Sequence, residues 1–249
     1  MASSIDPDLL LRAYAIGVFP MSDGRDAPDV YWVEPRRRAI LPLDNFHLSR
    51  SLRKTLRSGR FTVTRDTAFA EVIGRCAHRG ETWINPQIEK GYLELHALGH
   101  AHSIETWEDG ALVGGLYGVR LGTAFFGESM FSTAPDASKV ALAWLVARLK
   151  VGGFRLLDCQ FMTAHLRSLG AVEISQKRYL ELLTAELDDA AALLAGGVAL
   201  AGAGAAAAGV DLRGAAPFDA LDRLLSAGAA SVSPAEAGCV ISQLLVQTS

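Results

Sequence analysis

Three cysteines in 249 residues, Cys76, Cys159 and Cys239, are too few and too scattered for a disulfide framework or a Cys-based metal site. No apolar run reaches the ~20 residues of a membrane span without meeting Gly or a charge. The N-terminus MASSIDPDLLLRAYAIG lacks the basic start and small-residue cleavage site of a signal peptide. A cytoplasmic chain that makes no membrane contact is therefore expected. No Walker loop, G-x-G-x-x-G or G-x-S-x-G occurs, so nucleotide-triphosphate, dinucleotide and serine-hydrolase chemistry each lack their local signature.

Half of the residues are hydrophobic, enough for one large core or two modest ones. From Thr184 onward the chain has two basic and seven acidic residues, so the overall charge of −3 belongs to the tail. The stretch Arg36 to Arg65 holds nine basic residues (Arg36, Arg37, Arg38, Arg50, Arg53, Lys54, Arg57, Arg60, Arg65) against one acid, Asp44. Such a segment is either a solvated basic face or a footprint for nucleic-acid phosphates.

Period and punctuation give the elements. DPDLLLRAYAIG reads as a helix started by Asp6 or Asp8 and closed by Gly17. VFPMSDGRDAPDVYWVEPRRR reads as a loop rich in Pro and Gly, and RAILPL as a short strand. HLSRSLRKTLRSG is a basic helix, RFTVTRD a strand, TAFAEVIGRCAHR a helix that Thr67 caps, and NPQIEKGYLELHALGH a helix with Pro86 in its first turn. HSIETWEDGALVGGLYGVRLGTAFFGESMFS alternates through two Gly turns as a three-stranded antiparallel meander. A helix capped by Asp136 and stopped by Gly152-Gly153, the strand FRLLDCQF and the helices TAHLRSLG and RYLELLTAEL follow. This order suits an α+β domain of the N-acetyltransferase type, in which two parallel strands splay apart. The Ala/Gly run from Ala190 reads as a linker or loosely packed helix, with two short amphipathic helices after it.

His96, His100 and His102 lie at a helix-to-strand junction with no acid at ligand spacing, and read as structural rather than as a zinc site. Cys159 reads as a buried, inert thiol. Asp158 and Gln160 share one face of their strand. A buried carboxylate there must be paired, so Asp158 either anchors a neighbouring backbone or Arg, or orients Gln160 toward a substrate. Glu128 is a lone carboxylate among Phe125, Phe126, Met130 and Phe131.

The segments LLRAYAIGVFPM, YWVEPRRRAILPL, HLSRSL, TWIN, GHAHSIETWEDGALVGGLYGV, FFGESMFSTAPDASKVAL and GFRLLDCQFMTAHLRSLGA, in this order, resemble the leucyl/phenylalanyl-tRNA–protein transferase family from roughly Leu9 to Leu183. The resemblance implies an α+β fold with a small N-terminal α+β domain (1–81), an acetyltransferase-like (GNAT-type) domain (82–187) and an Ala/Gly-rich extension (188–249). It implies transfer of Leu or Phe, with Met a further candidate, from aminoacyl-tRNA to the α-amino group of proteins that begin with Arg or Lys, marking them for degradation. A monomer without cofactor or metal is expected.

The same resemblance implies that Asp158 and Gln160 are the catalytic pair and that Glu128 holds the aminoacyl-adenosine end. Trp83, Tyr14 and Tyr92 would border the terminal adenosine, where aromatic stacking is worth ~1–3 kcal/mol per base. Leu116, Phe125, Met130, Leu142, Leu145, Leu149 and Leu157 would line the side-chain pocket, and Arg50, Arg53, Lys54 and Arg57 would meet tRNA phosphates. Met21 stands where many relatives have Trp, and Leu145 where they commonly have an aromatic, although Trp144 is adjacent. An acetyl-CoA-dependent N-acetyltransferase and a non-catalytic tRNA-binding module are the alternative readings.

Overall fold

Side chains alternate between two apolar clusters along the central strands, so the sheet they form is covered on both faces. The computed structural model describes residues 4–187, 217–227 and 232–246. Helix α1 (Pro7–Ala15) is capped by the Asp6 carboxylate, which accepts from the backbone N–H groups of Asp8 and Leu9. Strands β1 (Phe19–Met21) and β2 (Tyr31–Val33) form a separate antiparallel pair. Next come β3 (Arg37–Ile40), α2 (Arg50–Arg57, capped by Ser49), β4 (Thr62–Arg65), α3 (Phe69–Ala77) and α4 (Pro86–Ala97, capped by Asn85). The meander is β5 (Ala101–Glu108), β6 (Ala111–Leu121) and β7 (Ala124–Ser132), then α5 (Ala137–Val151), β8 (Leu156–Gln160), α6 (Ala164–Ser168), β9 (Val172–Ser175) and α7 (Gln176–Glu186). Two more described helices follow, α8 (Ala220–Ser226) and α9 (Pro234–Leu244).

Seven strands make one mixed sheet in the order β4-β5-β6-β7-β8-β3-β9, and all neighbours are antiparallel except β7 and β8. The fold class is thus α+β with a large mixed sheet. Strands β3 and β4, from the first 81 residues, belong to the same sheet as β5 to β9. Leu116, Phe125 and Leu157 face a cluster built on α5, whereas Tyr117, Phe126 and Leu156 face one that includes side chains of α1, α3, α4 and α7. The parallel pairing of β7 with β8 covers only Ala124↔Leu156 through Phe126↔Asp158. Beyond it β7 follows β6 while β8 turns to β3, so the two strands part at Glu128 and Gln160.

Three expectations change. The segment read as a Pro/Gly loop contains β1 and β2, and β9 was not foreseen. Such three- and four-residue strands are fixed by their partners rather than by a period. Thr67 does not cap α3: the N-cap is Ala68, without a side-chain bond, and the Thr67 hydroxyl donates to the buried Glu105 instead. Asp136 holds the N-cap position of α5 with φ 68° but makes no capping bond, and its carboxylate pairs with Lys139 at 2.8 Å.

The Ala/Gly run lies outside the described residues, but α8 and α9 are packed firmly. A Cβ at Gly238 would sit 1.8 Å from the Leu56 carbonyl, so only glycine lets α9 approach α2 this closely. On α8, Asp222 accepts from Arg148 at 2.5 and 2.8 Å and from Arg65 at 2.9 Å. Arg148 is 2 % exposed and keeps the Phe218 carbonyl as a further acceptor. Asp222→Ala is expected to lower unfolding stability by about 1–3 kcal/mol, since it strips a buried guanidinium of its carboxylate. A urea midpoint equal to that of the parent chain would show that α8 contributes no stability.

Candidate active site

Where β7 and β8 part, a cavity of about 300 Å³ opens. Its apolar wall comprises Leu116 on β6, Met130 on β7, Leu142 and Leu145 on α5, and Leu157 on β8. Its polar end presents Glu128 and Gln160, and Trp83, Phe161, Thr163, His165 and Arg79 stand among its remaining walls.

A β-bulge aims Glu128. Tyr117 pairs with Ser129 and Gly118 with Gly127, so Glu128 is the unpaired extra residue on β7, and a bulge of this kind re-aims its side chain. The bulge requires glycine opposite: a Cβ at Gly118 would lie 2.3 Å from the Phe126 carbonyl. Glu128 accepts from Tyr14 Oη at 2.7 Å, Tyr92 Oη at 2.9 Å and Gln160 Nε2 at 2.9 Å. Burial pushes its carboxyl up to about 7 despite these three donors, and the nearby Asp158 charge adds to the rise.

Asp158 occupies a different position. It is fully buried and accepts from Arg38 Nε at 2.9 and 3.1 Å, Arg38 Nη2 at 2.5 Å, Tyr179 Oη at 2.9 Å and the Gln160 backbone N–H at 2.8 Å. The last bond holds Gln160 in the left-handed region, φ 60°, which non-glycine residues adopt at a price in strain and which recurs at functional sites. Asp158 thus anchors an Arg, one of its two sequence alternatives, and it also fixes the backbone of Gln160. It is not part of the cavity wall.

Of the residues expected at the site, Glu128, Gln160, Trp83, Leu116, Met130, Leu142, Leu145 and Leu157 line the cavity. Phe125 and Leu149 are buried in the core on the α5 face. The Tyr14 and Tyr92 rings are wholly buried, with their hydroxyls reaching Glu128 and each other. Met21, on β1, packs in the same cluster as Trp83. Trp144 borders a different recess, between β4, α8 and α9, so it supplies no aromatic beside Leu145 in the cavity.

The basic stretch divides. Arg37 pairs with Glu173, Arg38 with Asp158, Arg60 with Glu108, and Arg65 with Asp66 and Asp222, which removes four cations from any continuous phosphate footprint. Arg50, Arg53, Lys54 and Arg57 line a shallow recess on α2. His96, His100 and His102 do not converge: His96 Nδ1 meets the Ala101 carbonyl, and His102 Nδ1 lies 2.8 Å from Asp66 Oδ2, an acid 36 residues away that local spacing cannot reveal.

Sequence reasoning missed Arg38, whose burial is invisible inside an Arg-rich run, and Arg79. The Arg79 guanidinium donates to the Cys76 and Met130 carbonyls and to Ser129 Oγ at the cavity wall. It also missed Phe161, 46 % exposed at the cavity and edge-on to Phe19; its adjacency to Gln160 was the available signal.

The cavity, with one apolar end and one end holding a buried carboxylate beside the strained Gln160 backbone, is the candidate active site, and comparison with known proteins places the chain among the transferases. The family description "Leucyl/phenylalanyl-tRNA protein transferase" matches residues 40–184, and that of its N-terminal domain residues 3–36. The leucyl/phenylalanyl-tRNA–protein transferase of Rhizorhabdus wittichii is 62% identical, covering 99% of both chains. That of Novosphingobium aromaticivorans is 54% identical over 99% of this chain and 97% of its own, and that of Zymomonas mobilis 64% over 74% and 70%. This chain belongs to the leucyl/phenylalanyl-tRNA–protein transferase family. The matches at 99% run through the C-terminal region, so the tail has counterparts among relatives. Among solved structures, FemX is 13% identical over 68% of this chain and 66% of its own, with a TM-score of 0.46.

Proposed function

We propose that this chain transfers leucine or phenylalanine, with methionine a further candidate, from aminoacyl-tRNA to the α-amino group of proteins beginning with Arg or Lys, in the cytoplasm and as a monomer, marking them for degradation. The observation that carries the reading is the cavity: an apolar end for an unbranched-β side chain, next to Glu128 and Gln160 for the ester that bears it. No helix among the described residues is long and apolar enough to cross a membrane.

An aminoacyl ester is already activated, so its aminolysis is downhill. The acceptor α-amine has a reference pKa of ~7.7–8.0 and a useful neutral fraction near pH 7. Positioning then supplies much of the catalysis. Gln160 spends its Nε2–H on Glu128, which leaves its Oε1 to hold the incoming amine. Asp158 acts on Gln160 through the backbone N–H bond, as a positioning residue. Glu128 and Trp83 hold the adenosine end, while Tyr14 and Tyr92 support Glu128 from behind. Arg50, Arg53, Lys54 and Arg57 on α2 meet tRNA phosphates. The short parallel contact of β7 with β8 supports an acetyltransferase-like catalytic core, to whose sheet residues 1–81 contribute β3 and β4.

Offering the chain labelled leucyl-tRNA in one arm and labelled acetyl-CoA in another, with one peptide beginning with Arg, tests this reading against the acetyltransferase alternative. Label is expected on the peptide only from the tRNA; saturable acetyl-CoA use would overturn the reading. Leu145→Phe narrows the apolar end, and kcat/KM for phenylalanyl-tRNA relative to leucyl-tRNA is expected to fall about tenfold or more, as for other changes of pocket volume. An unchanged ratio would mean that Leu145 does not set donor preference.

A further inference from the structure

The hydroxyls of Tyr14 and Tyr92 and the two oxygens of Glu128 close a ring of three contacts: Tyr14 to Oε1, Tyr92 to Oε2, and hydroxyl to hydroxyl. Each contact needs one proton between its oxygens, and each phenol brings one. With Glu128 ionised, two protons serve three contacts, and the third sets lone pair against lone pair where both rings are wholly buried. A proton on Glu128 completes the ring. The carboxyl donates to one hydroxyl, that hydroxyl to the other, and the second hydroxyl back to the remaining carboxylate oxygen. Both phenols are held well above their ordinary pKa by burial and by Glu128, so they remain proton carriers rather than becoming anions.

His165 on α6 also stands on the cavity wall, but it lies outside the hydrogen-bonded ring that Glu128 closes with Tyr14 and Tyr92. Asp158 is saturated by Arg38, Tyr179 and the Gln160 N–H, and Gln160 carries no titratable proton. We propose that Glu128, with Tyr14 and Tyr92, is the proton acceptor of acyl transfer, taking a proton from the attacking α-amine and returning it to the departing ribose oxygen. This rests on the aminoacyl-transfer reading above. The amine lone pair forms the bond to the ester carbon, and the bond from that carbon to the ribose oxygen breaks with its electron pair left on oxygen. One proton passes from nitrogen through Glu128 to that oxygen, so Glu128 ends as it began and no co-reactant is consumed.

Charged and titratable groups act on Glu128 from several elements, Tyr14 from α1, Tyr92 from α4, Tyr117 from β6, Asp158 from β8 and Arg38 from β3, and Arg79, in the turn after α3, and His165 on α6 share its cavity wall. Burial, opposed by the Tyr14, Gln160 and Tyr92 donors and aided by Asp158, leaves a carboxyl of about 7, basic enough to hold a proton and acidic enough to lose it near neutrality.

The test is single-turnover transfer by the full chain at saturating leucyl-tRNA, across pH, with peptides beginning with Arg whose α-amines differ in pKa. The limb due to the amine moves with the peptide, whereas a limb near pH 7 is expected to stay fixed in the parent chain. Glu128→Gln is expected to abolish that fixed limb and slow transfer by about 10²–10⁴-fold, the usual worth of general acid–base catalysis. Tyr14→Phe, which takes one hydroxyl out of the ring, is expected to move the fixed limb away from its position in the parent chain. A Glu128→Gln rate within threefold of the parent, or a profile that follows the peptide alone, overturns the proposal. Should Glu128→Gln fail to fold by circular dichroism, an unmoved limb in Tyr14→Phe overturns it instead. Absence of any transfer by the parent chain would count against the functional reading itself; transfer with a profile set only by the peptide counts against Glu128 alone.

Discussion

Arg38→Met is expected to lower unfolding stability by about 3–5 kcal/mol, the loss typical when one partner of a buried ion pair is removed. Arg38 is 1 % exposed on β3, between β8 and β9 in the sheet. Its Nε and Nη2 grip Asp158, its Nη1 donates to the Gly17 carbonyl at 2.9 Å, and its plane lies over the Phe19 and Tyr179 rings at 4.8 and 4.5 Å. Methionine keeps much of the stem's volume but leaves a buried carboxylate with two donors in place of a guanidinium. Activity is expected to fall as well, because the same carboxylate holds the Gln160 backbone in its left-handed conformation. Adding Asp158→Asn to Arg38→Met removes the orphaned charge and is expected to restore more than half of the lost stability, read as the urea midpoint. A single Arg38→Met variant within 1 kcal/mol of the parent would show that the pair does not hold the strand ends together.

Glu128→Gln is expected to stabilise the fold at pH 8 while suppressing transfer. An ordinary Glu carboxyl titrates near 4.5, and this one near 7. Between those values the native state holds a proton that the unfolded chain has released, so stability falls as pH rises through this window. Above about pH 7 the ionised group opposes folding by roughly 3 kcal/mol, from 1.36 kcal/mol per pKa unit; below about pH 4.5 the opposition is gone. An amide has no such penalty, although it matches the three surrounding donors less well, so a net gain of about 1–3 kcal/mol is expected at pH 8 and none at pH 5. Thermal melts of both chains at the two pH values check this. Equal differences at pH 5 and pH 8 would mean that Glu128 does not titrate in the native state between them.

The elements with local signatures were legible. Asp6 caps its helix through side-chain bonds, Pro86 sits in the first turn of α4, and the β5–β6–β7 meander follows its alternation and its Gly turns. Short strands such as β9 exist because β3 offers an edge, from Arg37↔Ser175 to Ile40↔Val172, and no period announces that. The cavity's apolar wall was legible through resemblance, and five of its seven expected side chains converge. The register shift that re-aims Glu128 was not, because a bulge depends on how Tyr117 and Gly118 meet β7. Nor was the division of the basic stretch: Arg38 and Arg65 look like Arg53 and Arg57 until their acids, Asp158 and Asp222, arrive from distant parts of the chain. Charge counting sees the cations, while tertiary structure decides which of them are paired.

The most direct measurement of the account offers labelled leucyl-tRNA to the full chain with three peptides that differ only in their first residue, Lys, Arg or Ala. Label is predicted on the Lys and Arg peptides, with Gln160→Ala slowing its appearance and the Ala peptide left nearly unlabelled. No transfer to the basic pair, or equal transfer to the Ala peptide, would contradict it.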